Sequence, residues 1–250
     1  MKLRVGLLAA TLLGLIASAP ALAQSYPSKP VKILIGFAAG GPTDVIGRIL
    51  AQDMTAALGQ TFVVENRTGA NSLIATEAVA HSAPDGYTLL FASLSHNVNA
   101  ILVKPQRYEP LKDFVPISLT AVLPLVIVAP PTAPFDTVQD LIKAAKVKPE
   151  ALSYGSAGNG GSAHLAGALL ETLTQTKMVH VPYRGNAPAL TDVMAGRIDF
   201  MFYPMIGIAD RVQQKQLKVI AAGTEKRIAD FPGVPTMAES GFPGFEETAP

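Results

Sequence analysis

The 250-residue sequence contains no cysteine, and this absence excludes several kinds of site at once. Disulfide bonds, zinc fingers, iron–sulfur centres and thiol nucleophiles all need cysteine. The sequence also has almost no net charge, with 20 Lys and Arg against 19 Asp and Glu, and no block of five like charges. A nucleic-acid-binding protein normally presents a basic face, and interaction tails are built from blocks of like charge. We therefore expect no nucleic-acid partner and no charged tail.

Hydrophobic residues make up 49% of the sequence, which is too much for a disordered or collagen-like chain. The length suffices for one large domain or for two lobes of about 100 residues, each with its own core. The 21 glycines and 20 prolines are ordinary for a chain with many strand-to-helix turns.

The first 23 residues have the pattern of a cleaved export signal. Lys2 and Arg4 give a positive start, residues 5–16 are apolar, and small residues including Ala23 precede Gln24. The alternative is an N-terminal membrane anchor, but the apolar stretch is shorter than the roughly 20 residues that span a bilayer. We therefore predict cleavage between Ala23 and Gln24 and an exported mature protein.

Short apolar runs alternate with turns and helix-like patterns along the rest of the sequence. One cycle of strand, glycine-rich turn and helix covers residues 31–58, and a second covers residues 151–174, about 120 residues later. An apolar stretch at 117–129, interrupted by Pro124, indicates two strands with a crossing between them. Apolar strands alternating with helices predict parallel sheets covered on both faces. The repeated cycle fits two similar lobes with a cleft between them.

Two glycine-rich loops, residues 38–44 and 156–162, each join a strand to a helix. Glycine lets the backbone approach a ligand, and the helix N-terminus offers free N–H groups and the positive end of the helix dipole. Either loop alone is equally consistent with an ordinary tight turn. Two loops at matching positions in the two halves favour an anion site in the cleft. Neither loop contains Lys or Arg, so this site needs no cationic side chain.

Nucleotides do not fit this pattern. The first loop lacks the Gly-Lys-Ser/Thr ending of a P-loop. The second loop reads Gly158-x-Gly160-x-x-Ala163, but the strand that follows ends at 180–184 without the acidic residue that a dinucleotide site needs. Carboxylates remain the simplest ligands, and we expect no cofactor.

Catalytic and metal chemistry also lack their usual signatures. Ser162 and His164 are two residues apart on a helix and so point in different directions, and the Gly-x-Ser-x-Gly elbow is absent. His164 fits better as a residue that stabilises its loop by hydrogen bonding. Asp44 lies in the first turn of a helix, where an aspartate usually caps the helix and interacts favourably with its dipole. No metal site is expected, because no i, i+3 or i, i+4 spacing occurs among His81, His96, His164 and His180.

A series of short motifs runs through the mature sequence. They are Tyr26-Pro27-x-Lys29-Pro30-Val31, Gly40-Gly41-Pro42-Thr43-Asp44, Val64-Glu65-Asn66-Arg67-x-Gly69-Ala70, Asp85-Gly86-Tyr87-Thr88-Leu89-Leu90, Tyr154-Gly155-Ser156-x-Gly158, His164-Leu165-Ala166, Val181-Pro182-Tyr183-Arg184-Gly185, Ala187-Pro188-Ala189-Leu190 and Pro232-x-Val234-Pro235-Thr236-x-x-Glu239-x-Gly241. In this order and spacing the sequence resembles the tripartite tricarboxylate transporter substrate-binding proteins, the TctC or Bug family of periplasmic solute receptors.

The resemblance implies an α/β fold of the two-lobed type II periplasmic-binding-protein kind. Each lobe would be a mainly parallel sheet flanked by helices, with the ligand cleft between the lobes. The expected division is a signal peptide over 1–23, a first lobe from 24–122 with 221–250, and a second lobe from 123–220. Such receptors usually continue beyond this length, so the first lobe is expected to be incomplete at Pro250.

The resemblance also implies that the two glycine-rich loops hold carboxylates, partly through ordered water. Ala38-Ala39 and Asn71-Ser72 depart from the family pattern near the ligand, so the solute of a relative does not transfer directly. The predicted ligand-binding residues are Phe37, Ala38, Gly40, Gly41, Thr43, Asp44, Ser93, His96, Asn99, Ser156, Ala157, Gly158, Gly161, Ser162, His164, Tyr183, Gly185, Asn186 and Tyr203.

By this resemblance the protein is a periplasmic, monomeric receptor without catalysis. It would capture a small carboxylate solute and deliver it to the membrane permease subunits of a transporter. Two alternatives stay open at this point. One is a sensor subunit of the same fold that presents its solute to a signalling kinase. The other is an exported serine hydrolase that uses Ser156 or Ser162 with His164.

Overall fold

The computed structural model describes residues 25–250, so the predicted signal peptide and the cleavage site before Gln24 lie outside the described residues. Within 25–250, no helix combines the length and the apolar character needed to cross a membrane. The described residues form two β-sheets with helices packed against them.

A three-stranded parallel sheet with its helices forms the first lobe. Its strands are β1 (Val31–Ile35), β2 (Phe62–Asn66) and β3 (Thr88–Phe91), in the order β2-β1-β3. Its helices are α1 (Pro42–Leu58), α2 (Leu73–Ala80) and α3 (Ser95–Leu102). The central strand β1 is apolar and almost wholly buried, since it has a neighbouring strand on each side.

A six-stranded mixed sheet forms the centre of the second lobe. Its strands are β4 (Leu123–Ala129), β5 (Ser153–Ser156), β6 (Val179–Pro182), β7 (Phe200–Pro204), β8 (Lys218–Ala222) and β9 (Thr248–Ala249). The order is β6-β5-β7-β4-β8, and β9 pairs with β4. Strand β5 is parallel to both of its neighbours, whereas β4 is antiparallel to β7, β8 and β9.

Helices cover both faces of the second sheet. They are α4 (Val138–Val147), α5 (Ser162–Thr174), α6 (Asn186–Met194) and α7 (Ala209–Gln213). Ile127 and Phe202 point toward α4 and α5 in one core cluster, while Val126 and Met201 point toward α6 in the other. Two-sided burial explains why these strands are continuously apolar in sequence.

The segment 221–250 makes its contacts with the second sheet. Ala221 and Ala222 belong to β8, β9 pairs with β4, and Met237 and Phe245 are buried in the core that also contains α4 and α5. The predicted division of the chain, with residues 221–250 in the first lobe, stays a prediction. The position of this segment beside the second sheet follows from these backbone pairs and from burial of Met237 and Phe245, neither of which is visible in sequence periodicity.

Candidate functional site

A cavity of about 70 Å³ lies between the two lobes, where the loops after β1, β3 and β5 meet. Its wall contains residues of both glycine-rich loops, including Thr43 and Ser162, together with Ser93 after β3 and Asn186 at the start of α6. The carboxyl ends of parallel strands are the usual place for a ligand site in α/β proteins. The candidate site therefore lies where the sequence analysis expected a cleft.

Three helices begin at this cavity, and each follows a glycine. Helices α1, α5 and α6 have Gly41, Gly161 and Gly185 at the N-cap position, and none of the three has a side-chain hydrogen bond at its cap. Helix α4, which does not line the cavity, begins instead at Thr137, whose Oγ1 accepts a hydrogen bond from the Asp140 N–H. The cavity therefore lies at the positive ends of three helix dipoles, where the first backbone N–H groups, apart from the positions of Pro42 and Pro188, have no partner within their own helix.

No Lys, Arg, Asp, Glu or His side chain of the described residues lines this cavity. The starts of α1, α5 and α6 therefore supply positive main-chain dipoles at the site. An anion bound there would meet N–H donors with fixed geometry and no mobile cation.

Asp44 holds the first glycine-rich loop from within. Its side chain is buried, and its Oδ2 accepts hydrogen bonds from the Gly40 N–H at 2.9 Å and from Arg48 Nε at 2.9 Å. Its Oδ1 accepts from Asn66 Nδ2 at 2.9 Å, and the same amide nitrogen donates to the Phe37 carbonyl at 3.0 Å. Burial alone would raise the pKa of Asp44, but the hydrogen bonds from Arg48, Gly40 and Asn66 lower it. The carboxylate therefore stays charged and fixes the loop conformation.

A serine and two histidines hold the second glycine-rich loop. Ser156 Oγ lies 2.6 Å from His180 Nε2, and it accepts a hydrogen bond from the Gly158 N–H at 3.1 Å. His164 Nδ1 accepts from the Gly160 N–H at 3.0 Å, and its ring stacks on His180 with ring centroids 4.0 Å apart. His164 therefore makes the loop-stabilising contact that the sequence analysis favoured, with Nδ1 unprotonated.

These contacts do not match the hydrolase alternative. The histidine beside Ser156 is His180 and not His164, whose Nδ1 is occupied by a backbone N–H. Ser156 is completely buried and does not line the cavity. Ser162 does line the cavity, but within residues 25–250 no histidine hydrogen-bonds to it.

The two imidazoles make the stability of this loop sensitive to acid. Burial and the neighbouring His164 lower the pKa of His180 from 6.5 to about 4, and burial lowers the pKa of His164 as well. Between pH 6.5 and about pH 4 the unfolded chain binds more protons at His180 than the folded protein does. The free energy of unfolding therefore falls as the pH is lowered through this range. Above pH 6.5 both states are unprotonated and the effect vanishes.

We expect the melting temperature to decrease as the pH is lowered from 6.5 to about 4. The variant His180→Gln should show a smaller fall, because its amide can still hydrogen-bond to Ser156 but does not titrate. Circular dichroism melts from pH 7 down to about pH 4 measure this, with His81→Gln on the exposed surface as the control. An unchanged slope in His180→Gln would show that the imidazole pair does not control acid stability.

The two lobes touch each other through backbone and small side chains beside the cavity. The Ala38 N–H donates to the Arg184 carbonyl at 2.9 Å, directly across the cleft. A Cβ added to Gly158 would lie 3.2 Å from Asn71 Cβ, so this glycine packs closely against the first lobe. Ala157 likewise packs against the core of the first lobe. The two lobes approach each other closely because the residues on both surfaces are glycines or have small side chains.

The predicted ligand-binding residues fall into three groups. Those that line the cavity are Phe37, Thr43, Ser93, Ala157, Gly161, Ser162 and Asn186. Those that shape the backbone beside it are Ala38, Gly40, Gly41, Gly158 and Gly185. Those that do not line the cavity and whose side chains contact other residues are Asp44, His96, Asn99, Ser156, His164, Tyr183 and Tyr203; among them Asp44, Ser156 and His164 hold the two glycine-rich loops. Binding of a solute by any of these residues stays a prediction.

The residues in the third group have partners that sequence does not reveal. His96 stacks on Tyr108 with ring centroids 5.3 Å apart. Tyr183 donates its hydroxyl hydrogen to Asp192 at 2.7 Å, and burial in the core of the second lobe raises the pKa of Tyr203 to about 12.

The apolar wall of the cavity was not predicted from the sequence. This wall includes Ile46, Phe91, Leu123 and Pro204. A signal existed for Ile46, which lies one helical turn after Pro42 and therefore on the same face of α1. The others end or begin strands, and nothing in their local sequence distinguishes them from core residues.

Comparison with known proteins gives consistent matches over most of the chain. The sequence profile described as "Tripartite tricarboxylate transporter family receptor" matches residues 46–250. Protein BugT of Bordetella pertussis (strain Tohama I) is 36% identical over 230 residues, covering 91% of this chain and 71% of BugT. Two solved structures of Rhodopseudomonas palustris proteins are also similar. MatC with bound malate has a TM-score of 0.85 and 31% identity, covering 90% of this chain and 76% of MatC. Rpa4515 with adipate has a TM-score of 0.86 and 32% identity, covering 90% of this chain and 75% of Rpa4515.

Proposed function

Since this chain belongs to the tripartite tricarboxylate transporter receptor family, a family of periplasmic solute-binding proteins, we propose that it captures a small carboxylate-bearing solute for a transporter of that type. The solute would bind in the cavity between the lobes. The mature protein would act in the periplasm as a monomer and deliver its solute to the membrane permease subunits. It would do so without catalysis.

The observation that carries this proposal is the convergence of three uncapped helix N-termini on one cavity. A partly buried anion at a helix N-terminus gains up to about 2 kcal/mol. Three such interactions would supply a large part of the roughly 8 kcal/mol that a micromolar dissociation constant requires. Asp44 and the His164–His180 pair support the proposal because they fix the two loops in advance of binding.

The solved relatives support a carboxylate as the solute. MatC is described with bound malate and Rpa4515 with adipate, and both ligands are dicarboxylates. Their identities of 31% and 32% to this chain support the class of solute rather than either compound.

The test is a thermal-shift screen of the exported protein, after mass spectrometry of whatever co-purifies with it. Carboxylates are compared with their own amides, for example adipate with adipamide and succinate with succinamide. At 100 times the dissociation constant a ligand adds about 2.7 kcal/mol of stability, a rise in melting temperature of roughly 5–10 °C for a chain of this size. We expect at least one carboxylate to give this rise and its amide to give none.

Two results would contradict the proposal. Equal shifts from carboxylates and amides would show that the site does not recognise an anion. Turnover of a model ester that is lost in His164→Gln would favour the hydrolase alternative instead.

A further inference from the structure

The second glycine-rich loop touches the first lobe through two of its glycines. A Cβ added to Gly160 would lie 2.9 Å from Val98 Cγ1 and 3.0 Å from Leu102 Cδ1, and both of these residues belong to α3. A Cβ added to Gly158 would lie 3.2 Å from Asn71 Cβ. Side chains at these two positions of the loop would therefore overlap with the first lobe or press against it.

The same two glycines offer little to a solute. Among the described residues, neither Gly158 nor Gly160 belongs to the cavity wall. Their N–H groups are donated inside the second lobe, that of Gly158 to Ser156 Oγ at 3.1 Å and that of Gly160 to His164 Nδ1 at 3.0 Å. The lack of a side chain at these positions therefore serves the contact with the first lobe.

The surface of the first lobe that meets the two glycines is held together as one unit. Val98 and Leu102 are four residues apart and so lie on the same face of α3. Asn99, the residue after Val98, donates from Nδ2 to the Asn71 carbonyl at 2.7 Å, and both asparagines are buried. This hydrogen bond ties residue 71 to α3. We call the following five residues the interlobe contact: Asn71, Val98, Leu102, Gly158 and Gly160.

We infer that the interlobe contact sets how closely the two lobes approach each other, and thereby how long a bound solute is retained. Two-lobed receptors close around a ligand by a hinge motion. Packed side chains resist compression, so the residues that meet first fix the end point of this motion. Gly158 and Gly160 are then positioning residues that make room for the first lobe. The claim about retention rests on the proposed function, whereas the claim about the lobes does not.

The variant Gly160→Ala tests the inference by adding one methyl group. The methyl group would overlap with Val98 and hold the lobes apart, so Thr43 and Ser162 on opposite sides of the cavity would lie further from each other. We expect the dissociation rate of the strongest-binding carboxylate to rise at least about fivefold. The association rate should change by less than about threefold. Stopped-flow mixing measures both rates.

Three further variants separate the contact from backbone strain. Gly160 has φ of +78°, so alanine there is also strained, and Gly196→Ala is the control because Gly196 has φ of +68° and open space around it. Gly196→Ala should leave the dissociation rate unchanged. Adding Val98→Ala to Gly160→Ala removes the overlapping Cγ1 and should restore most of the parent rate. Val98→Leu enlarges the contact from the side of α3, leaves the loop unaltered, and should act like Gly160→Ala.

The distance between the lobes can be measured with and without a solute. The sequence has no cysteine, so Asp53→Cys on α1 and Lys146→Cys on α4 provide two exposed sites for spin labels, one on each lobe. Double electron–electron resonance gives the distribution of distances between the labels. We expect the shortest populated distance to be longer in Gly160→Ala and in Val98→Leu, and to return to the parent value when Val98→Ala is added to Gly160→Ala.

Two results would overturn the inference. One is an unchanged shortest distance in both Gly160→Ala and Val98→Leu. The other is a change in Gly160→Ala that Val98→Ala does not reverse, since the added methyl group would then act only within its own loop. If the distance lengthens and the dissociation rate stays as in the parent protein, the claim about retention is wrong. If no carboxylate binds the parent protein, the proposed function fails, and the distances in the solute-free protein still decide the claim about the lobes.

Discussion

Replacing Gly185 by valine is expected to weaken carboxylate binding at least about 100-fold, the largest loss from any single substitution at the site. Gly185 caps α6 with φ of +147°, a conformation that L side chains rarely adopt. A Cβ there would lie 2.8 Å from the Ala38 backbone nitrogen, which donates across the cleft to the Arg184 carbonyl. The substitution would therefore move the start of α6 away from the cavity and separate the lobes.

The neighbouring residue provides the comparison. Arg184 is exposed, and its backbone carbonyl, rather than its side chain, accepts the hydrogen bond from Ala38. Arg184→Ala should weaken binding less than about tenfold, since an exposed charge is screened by water and salt. Gly196→Val controls for backbone strain, because Gly196 follows the end of the same helix with φ of +68° and has open space around it. Calorimetry with the strongest-binding carboxylate decides: loss of binding in Arg184→Ala with tolerance of Gly185→Val would mean a cationic clamp.

Replacing Gly36 by alanine is expected to destabilise the fold by about 3 kcal/mol or more. An added Cβ would lie 2.3 Å from Ser72 Cβ and 2.4 Å from Ser72 Cα, so a backbone would have to move. Ser72 has little freedom to move, because Ala70, Asn71 and Ser72 all have positive φ, and each such residue is held against strain by its surroundings. Urea unfolding measures the loss.

Gly233→Ala is the matched control, since no atom lies within 4 Å of a Cβ added there. It should change the free energy of unfolding by less than about 1 kcal/mol. Adding Ser72→Gly to Gly36→Ala should restore part of the stability, because it removes the overlapping side chain and leaves only the overlap with the backbone of residue 72. Equal losses in the two single variants would contradict the packing argument.

Local sequence patterns were sufficient to predict those strands and helices whose form depends on their own residues. The apolar run from residue 31 and the glycine-rich turn after it correspond to β1 and the start of α1, and Gly59 ends α1 with φ of +68°. The pattern was insufficient at Pro124, where two strands were expected and β4 is one strand. Pro124 lies near the start of β4 and accepts from the Met205 N–H with its carbonyl, so its missing N–H does not interrupt the strand.

The site itself was predictable only in its main-chain part. The two glycine-rich loops are visible in sequence, because glycine is needed where backbone approaches a ligand or another backbone. The stacking of His164 on His180 and the partners of Asp44 depend on which elements meet in space. Residues 16 or 22 positions apart carry no local signal that they will meet. The apolar wall was missed for the same reason, since it combines residues from both lobes.

The helix starts at the cavity also bear on how such a receptor changes over evolutionary time. A carboxylate held by main-chain N–H groups is held by atoms that all residues except proline share. If the cavity binds a carboxylate as proposed, mutations at Phe91, Leu123 or Thr120 would alter its shape without removing its affinity for a negative charge. Receptors from duplicated genes that diverge only in this wall would bind the carboxylate in the same way and differ in which solutes they accept. Selection can act on the wall while the framework of loops and helices stays as it is.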